Sequence, residues 1–254
     1  MHRVAGIDFG EPLPELDEKF LRVWSTHYMK IAGIASVKSP LLEIGAGYGV
    51  LAAGLSLISG GRVWTTEHPS RSYLASASYR RFLDEFGIEM AAHDLTEGLP
   101  FKEKSFEQVY LCDVIEHFAP DVIPFIFSEI TRVLRPGGNV VISTPNLNRL
   151  SGLLRFLAGY SVNPPLEVRR AGDTFDHIRE LAPKELLKLL TKQGFQTRRF
   201  EFAVNPYFTA EAYGEDNIFS PAAVKVINTL TGLAVRFVPR FGDEMYIVAS
   251  KQSA

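Results

Sequence analysis

The stretch Leu41-Leu42-Glu43-Ile44-Gly45-Ala46-Gly47-Tyr48-Gly49-Val50-Leu51 decides the fold of this 254-residue chain. It reads as an apolar strand that ends near a carboxylate, followed by three glycines at alternate positions and the start of an apolar helix. Glycine accepts positive φ and lets the backbone approach a ligand closely. The helix offers unpaired N–H groups and the positive end of its dipole. The stretch therefore predicts a nucleotide-type binding loop.

Composition excludes several classes of protein. Hydrophobic residues make up 46% of the chain, which suffices for the core of one large domain, and the net charge is only −2. Because no basic run is present, we expect no nucleic-acid partner. The single cysteine, Cys112, excludes an internal disulfide and a cysteine-pair zinc site. With no signal-peptide pattern at the start and no convincing spanning segment, we expect a cytoplasmic protein without stable membrane insertion.

Apolar strands and amphipathic helices alternate along most of the chain, which predicts a parallel sheet covered on both faces. The predicted strands are 41–44, 62–67, 88–93, 106–112, 139–143, 195–204 and 244–250, and the predicted helices are 16–34, 48–58, 69–86, 120–134 and 183–193.

Two long segments interrupt this alternation. Residues 147–176 form an irregular stretch, and residues 205–243 contain an apolar helix from Pro221. Long segments between core elements are more often functional lids than simple connections. We expect one domain over residues 1–254, with an N-terminal helical cap over about 1–38 and these two lid-like insertions.

The glycine loop suits a cationic ligand better than a pyrophosphate. A dinucleotide loop has the pattern G-x-G-x-x-G, and its third glycine would fall on Val50 here. Glu43 would repel a doubly anionic pyrophosphate but would attract an α-ammonium group. The pattern favours S-adenosylmethionine over NAD, and an NAD-type oxidoreductase remains the alternative enzyme class.

The following strands also end in acidic residues. Glu67 could accept hydrogen bonds from both ribose hydroxyls, and Asp94 with Leu95 suits the amine and the face of an adenine. In such sheets the ligand lies across the carboxyl ends of the strands. The fourth strand ends at Cys112-Asp113. Each carboxylate alone could equally be a solvated or capping group, but three acidic strand ends after a glycine loop favour an adenosyl cofactor.

The chain resembles the class I S-adenosylmethionine-dependent methyltransferases, in particular the type 11 group that includes the ubiquinone-biosynthesis O-methyltransferases. The resemblance extends over about residues 40–200. It rests on Leu42-Glu43-Ile44-Gly45-Ala46-Gly47-Tyr48-Gly49, Glu67, His93-Asp94-Leu95, the segment 106–117, Leu134-Arg135-Pro136-Gly137-Gly138 and the following strand to Asn146, and His177-Ile178-Arg179-Glu180-Leu181.

This resemblance implies a Rossmann-like α/β fold with seven strands in the order 3-2-1-4-5-7-6, strand 7 antiparallel and helices on both faces. It implies that the cofactor is S-adenosylmethionine and that the enzyme is a methyltransferase (EC 2.1.1.-). The implied cofactor-binding residues are Glu43, Gly45, Ala46, Gly47, Gly49, Glu67, His68, Asp94, Leu95 and Cys112.

Methyl transfer to a hydroxyl needs a general base near the methyl group. His117, just after the fourth strand, is the first candidate, although it could instead pack on the next helix. Asn146 and His177 are candidates for contact with the acceptor. Trp24, His27 and Tyr28 could cap the cofactor or form an ordinary core face. We expect no metal site, because Glu116-His117 alone is not a ligand set.

The acceptor is the least determined feature. The apolar and aromatic residues of segments 147–176 and 205–243 suggest a small hydrophobic or amphipathic molecule, such as a quinone-like ring, a lipid-linked sugar or a secondary metabolite. The sequence lacks the Asn/Asp-Pro-Pro-Tyr/Phe tetrapeptide of many base- and amine-directed enzymes, which favours oxygen as the target. The same segments could instead form a homodimer interface, and the protein could be a cofactor-binding sensor or scaffold without turnover.

Overall fold

The computed structural model describes residues 18–159, 161, 177–204 and 220–252. Within them, seven strands form one sheet in the order β3-β2-β1-β4-β5-β7-β6. The strands are β1 Leu41–Ile44, β2 Val63–Glu67, β3 Ile88–Ala92, β4 Phe106–Cys112, β5 Leu134–Pro145, β6 Phe195–Ala203 and β7 Glu244–Lys251. The α-helices are α1 Glu18–Ile34, α2 Val50–Ser59, α3 Ala77–Glu85, α4 Ile123–Val133, α5 Leu150–Leu157, α6 Pro183–Lys192 and α7 Pro221–Phe237.

The sheet confirms the expected topology. Strands β1 to β5 pair in parallel, whereas β7 lies antiparallel to both β5 and β6. Ile44 at the end of β1 is in register with Thr66 on β2 and with Leu111 on β4. The carboxyl ends of the three central strands therefore meet at one edge of the sheet, where a ligand of a parallel sheet binds.

Apolar side chains bury both faces of the sheet. One cluster includes Phe127 and Ile130 of α4 and Leu186 and Leu190 of α6. The cluster on the other face includes residues of α1, α2 and α3, among them Ile31, Leu55 and Phe82. This two-sided burial explains why the central strands are continuous apolar runs rather than alternating ones.

Three predicted elements were wrong in extent: the helices 69–86 and 120–134 and the strand 139–143. The helix predicted over 69–86 is a 3₁₀ helix, Ser72–Ala75, followed by α3. The two helices are separated at Ser76, whose backbone is extended and whose hydroxyl accepts a hydrogen bond from the N–H of Tyr79. Strand β5 begins at Leu134, predicted as helical, because this buried residue pairs with Phe106 of β4.

The segment 147–176, predicted as irregular, contains helix α5. Gly152 of this helix is buried, and so is Arg149, the residue just before it. The predicted helix from Pro221 is confirmed as α7. Residues 1–17, 160, 162–176 and 205–219 lie outside the described residues, so the first 17 residues of the cap and the remaining parts of both insertions stay predictions. None of the helices in the described part of the chain has the length and hydrophobicity needed to span a bilayer.

Candidate cofactor and acceptor site

The glycine loop between β1 and α2 adopts left-handed backbone conformations. The φ angles of Gly45, Gly47 and Gly49 are 72°, 52° and 75°. The N–H groups of Gly45 and Ala46 both donate to the carbonyl of Thr66, at 2.9 and 3.1 Å. The loop is thereby held against β2 while Gly47 stays open, since a Cβ built on it would meet no atom within 4 Å.

A cavity of about 480 Å³ opens at the carboxyl ends of the central strands. The predicted cofactor residues that line it are Glu43, Gly45, Ala46, Gly47, Glu67, His68, Asp94, Leu95 and Cys112. Gly49 is the exception. It lies beneath the loop, where an added Cβ would come within 3.1 Å of Phe82 Cε1, so its role is packing at the start of α2.

Glu43 is a buried carboxylate at the wall of the cavity. Its residue is 3% exposed, and its Oε2 has no hydrogen-bond partner among the described residues. Burial, together with the negative charge of Glu67, raises the pKa of the Glu43 carboxyl well above its usual value. An unpartnered acceptor of this kind matches a ligand that brings a cationic N–H group, as the α-ammonium of S-adenosylmethionine does.

Glu67, at the end of β2, connects the loop to the neighbouring strand end. Its Oε2 accepts a hydrogen bond from the N–H of Gly47 at 2.7 Å, and its Oε1 accepts one from the N–H of His68 at 2.8 Å. Tyr73 also hydrogen-bonds to this carboxylate, and Nε of Arg71 lies 3.8 Å from Oε1, so a diol in the cavity would share the acceptor capacity of Glu67 with these groups.

Asp94 lies beyond Glu67, after β3. Its Oδ1 accepts hydrogen bonds from the backbone N–H and the hydroxyl of Thr96, which lower the pKa of the Asp94 carboxyl. The other oxygen, Oδ2, lies 3.6 Å from Nε2 of His68. Asp94, His68 and Leu95 therefore line the part of the cavity beside the ends of β2 and β3.

Asp113 was not among the predicted site residues, yet it lines the cavity. It has a positive φ of 55°, and its Oδ2 lies 2.7 Å from Nε2 of His27. The other nitrogen of His27 is hydrogen-bonded to the hydroxyl of Tyr246 at 2.8 Å. Burial raises the pKa of Asp113, but His27, Glu244 and Ser143 outweigh it, and the net pKa is lowered. Its place at a strand end was the available sequence signal.

The N-terminal helix contributes side chains to the cavity wall. Trp24 and Tyr28 both line it, and their rings lie 5.4 Å apart. His27 is instead buried in the network with Asp113. The helix thus supplies two aromatic side chains to the cavity wall and one structural histidine.

The predicted acceptor residues fall in different places. His117 lines the cavity, whereas His177 and Asn146 are not among its lining residues. Nδ2 of Asn146 donates to the carbonyls of Arg240 and Gly242, at 2.9 and 2.7 Å, and its Oδ1 accepts from the N–H of Asn148. Its polar atoms are committed to loop structure rather than directed at a ligand.

The imidazole of His177 lies beside that of His117. The two rings are perpendicular, with centroids 5.0 Å apart. Burial lowers the pKa of His177, but Glu180 and Glu116 outweigh it and the net pKa is raised. Burial, with the negative charge of Asp113, raises the pKa of Glu116 to about 8. Although we expected no metal site, Glu116, His117 and His177 bring three potential ligand atoms within 4.8 Å of one another.

Comparison with known proteins identifies the domain. Residues 42–142 match the family model described as a methyltransferase domain, type 11. No curated protein sequence matches the chain significantly.

Solved structures share the fold. An S-adenosylmethionine-dependent methyltransferase from Mesorhizobium loti has a TM-score of 0.59 at 15% identity, covering 90% of this chain and 97% of its own. One from Archaeoglobus fulgidus has 0.56 at 20% identity, covering 92% and 95%. A chain from the complex between the Haloferax volcanii Trm112 methyltransferase activator and a candidate methyltransferase has 0.60 at 16% identity, covering 91% of both.

Proposed function

Since residues 42–142 form a class I S-adenosylmethionine-dependent methyltransferase domain, we propose that the protein methylates an oxygen of a small hydrophobic or amphipathic molecule. The observation that carries this proposal is the position of His117, which lines the same cavity as Glu43 and the glycine loop. This position supports a role for the His117 imidazole as the base that acts on the acceptor.

The cofactor would lie along the strand ends. Gly45 and Gly47 give the backbone room to approach the methionine part, and Glu43 accepts a hydrogen bond from its ammonium group. Glu67 accepts from the ribose hydroxyls through its remaining lone pairs, and Asp94 with Leu95 holds the adenine. Bound in this way, the cofactor supplies a methyl group on a cationic sulfur that needs no further activation.

The protein's part in the reaction is orientation and proton removal. Transfer is an in-line displacement, so the acceptor oxygen must lie opposite the sulfur, and most of the acceleration comes from this alignment. His117 takes the proton of the acceptor hydroxyl as the oxygen–carbon bond forms. Trp24, Tyr28 and Phe118 give the lining an aromatic surface that suits an apolar acceptor and excludes water.

The two insertions would select the acceptor. Their described parts, helices α5 and α7, contact each other. Val226, Leu230 and Phe237 on α7 are 56%, 53% and 84% exposed. These side chains could cover an acceptor or pack against a second copy of the chain. Multi-angle light scattering decides between a monomer and the homodimer that the second arrangement requires.

A methyl-transfer screen tests the proposal. The protein is incubated with methyl-labelled S-adenosylmethionine and phenols, quinols, sugars, carboxylic acids and amines, and the products are identified by mass spectrometry. We expect label on the oxygen of an apolar hydroxylated compound. Label on amine nitrogen would overturn the oxygen assignment, and cofactor binding without turnover on every class would favour a sensor or scaffold.

Substitution of His117 tests its role separately. We expect His117→Asn to lower kcat by roughly 100- to 10,000-fold while the affinity for S-adenosylhomocysteine stays unchanged. A calorimetric titration with NADH serves as a second control. Tight binding of NADH with no binding of S-adenosylhomocysteine would favour an oxidoreductase instead.

A further inference from the structure

A partly buried cluster at the wall of the cavity brings two histidines and a glutamate together. Glu116 and His117 belong to the 3₁₀ turn Ile115–His117 after β4. His177 comes from a segment sixty residues later, which is held to that turn by two hydrogen bonds. The N–H groups of Ile178 and Arg179 donate to the carbonyl of Glu116, at 2.8 and 3.1 Å. The fold therefore fixes the backbone of all three residues.

Glu116 presents one unsatisfied oxygen to this cluster. The residue is fully buried, and its Oε2 accepts a hydrogen bond from the hydroxyl of Thr144 at 3.0 Å. Its Oε1 has no hydrogen-bond partner among the described residues and lies 3.9 Å from Nε2 of His177. Thr144 thus orients the carboxylate so that the free oxygen faces the imidazoles. A buried carboxylate oxygen in this position is costly unless a cation or donor balances it.

His177 is oriented from behind by a second carboxylate. Its Nδ1 lies 3.6 Å from Oε1 of Glu180, while its Nε2 faces Glu116. The other oxygen of Glu180 forms a buried ion pair with Arg149. Imidazoles that bind metal ions commonly face a carboxylate with their second nitrogen, which sets the tautomer and the ring direction. The Arg149–Glu180–His177 series has this arrangement.

We propose that Glu116, His117 and His177 bind a divalent transition-metal ion at the inner wall of the cavity. Two imidazoles and one carboxylate favour iron, cobalt, nickel, manganese or zinc over magnesium and calcium, which prefer oxygen ligands. Three protein ligands leave open coordination positions for water or for an acceptor oxygen. Among these ligands, His117 lines the cavity, so the open positions would face it.

The catalytic consequence rests on the proposed function. With the ion bound, His117 would be a ligand rather than a base. Contact with the ion would lower the pKa of the acceptor hydroxyl, so that its proton passes to solvent before the oxygen–carbon bond forms. Metal binding itself does not depend on methyl transfer. Its failure would leave the methyltransferase proposal, and the role of His117 as a base, intact.

A second group of three possible ligands does not support the same conclusion. His27, Asp113 and Glu244 also lie within 4.8 Å of one another. However, Nδ1 of His27 is hydrogen-bonded to Tyr246 and its Nε2 to Asp113, and Oδ1 of Asp113 accepts from Ser143. Both imidazole nitrogens are already used by protein partners, so this group is a structural network.

The test is metal titration of the full chain after treatment with a chelator. We expect one equivalent of Co²⁺ to bind, with visible d–d absorption bands, and Zn²⁺ to displace it in calorimetry. We expect His177→Ala and the nearly isosteric Glu116→Gln to weaken binding at least 100-fold. His93→Ala is the matched control, since His93 lines the cavity but lies outside the cluster, and its metal affinity should equal that of the wild type.

Folding of each variant is checked by its unfolding temperature and by its affinity for S-adenosylhomocysteine. If both ligand variants fail to fold, X-ray absorption of the cobalt-loaded wild type decides, because the proposal requires two imidazole ligands. Three outcomes would overturn it: less than one-tenth of an equivalent bound, equal metal affinity in His177→Ala and the wild type, or tighter binding of Mg²⁺ than of Co²⁺.

Discussion

The carboxylate of Glu67 accepts a hydrogen bond from the backbone N–H of Gly47, with 2.7 Å between Oε2 and N. This contact joins the end of β2 to the glycine loop after β1. The residue proposed to bind the ribose therefore also holds the loop proposed to receive the methionine part. A change at Glu67 should affect both halves of the cofactor site.

We expect Glu67→Ala to weaken the binding of S-adenosylhomocysteine by about 1–3 kcal/mol, because it removes the ribose acceptor and the partner of Gly47. This corresponds to roughly a 5- to 160-fold rise in Kd by calorimetry. Glu89→Ala is the matched control, since Glu89 is an exposed strand residue paired with Arg62. Equal affinities of the two variants would contradict the assignment.

Cofactor binding should release a proton from Glu43. Burial and the charge of Glu67 raise the pKa of Glu43 in the free protein, whereas a bound ammonium group favours the ionised carboxylate and lowers it again. Affinity should therefore increase with pH up to the free-state pKa, and decrease as pH falls below it.

Calorimetry in two buffers of different ionisation enthalpy measures this proton release. In Glu43→Gln the release should disappear and the affinity should be lower across the pH range. Proton uptake by the wild type, or release that persists in the variant, would show that another group titrates.

Gly45 tolerates no side chain. Its φ is 72°, and an added Cβ would lie 2.6 Å from Cγ2 of Val114. We expect Gly45→Ala to lower the free energy of unfolding by about 1–3 kcal/mol and to weaken cofactor binding, since the loop must shift. Chemical denaturation and calorimetry measure the two effects.

Two further variants isolate the cause. Gly60→Ala has a similar φ of 63° but meets no atom within 4 Å, so it should show the backbone strain without the contact. Val114→Ala combined with Gly45→Ala should recover part of the lost stability. If Gly60→Ala is as damaging as Gly45→Ala, the contact with Val114 is not the cause.

Trp24 should contribute to cofactor or acceptor binding from the N-terminal helix. We expect Trp24→Ala to raise the Kd for S-adenosylhomocysteine or the KM of the acceptor by roughly tenfold, because it removes a large apolar surface from the cavity wall. Met29, on the same helix, is 67% exposed and does not line the cavity, so Met29→Ala is the control. If Trp24→Ala changes neither the Kd for S-adenosylhomocysteine nor the KM of the acceptor, the Trp24 side chain contributes only to the packing of α1.

Much of the fold could be predicted because its signals are local. The apolar runs of β1 and β4 predicted their bounds correctly, and the alternation of strands and helices predicted a covered parallel sheet. Leu134 shows the limit of this reasoning. Its pattern continues the preceding helix, but pairing with Phe106 across the sheet places it in β5.

Nine of the ten residues predicted to bind the cofactor line the cavity, because each lies at the end of a recognisable strand or just after it. Asp113 was noted as an acidic strand end but not chosen as a site residue, and Glu244 was missed, since their contacts join distant segments. Burial and the charges of Asp113 and Glu116 raise the pKa of Glu244 well above its usual value, and no local pattern reports this proximity.

The sequence by itself determined the Gly45–Gly49 loop, the acidic ends of the strands and the cofactor that they suit. These features depend on residue type and short spacing, which fix backbone freedom and charge locally. Only the tertiary structure decided that Asn146 is a loop anchor and that His177 stands beside Glu116 and His117. Sixty residues separate His177 from that pair, and the physical cause of their meeting is the packing of a later segment against the turn after β4.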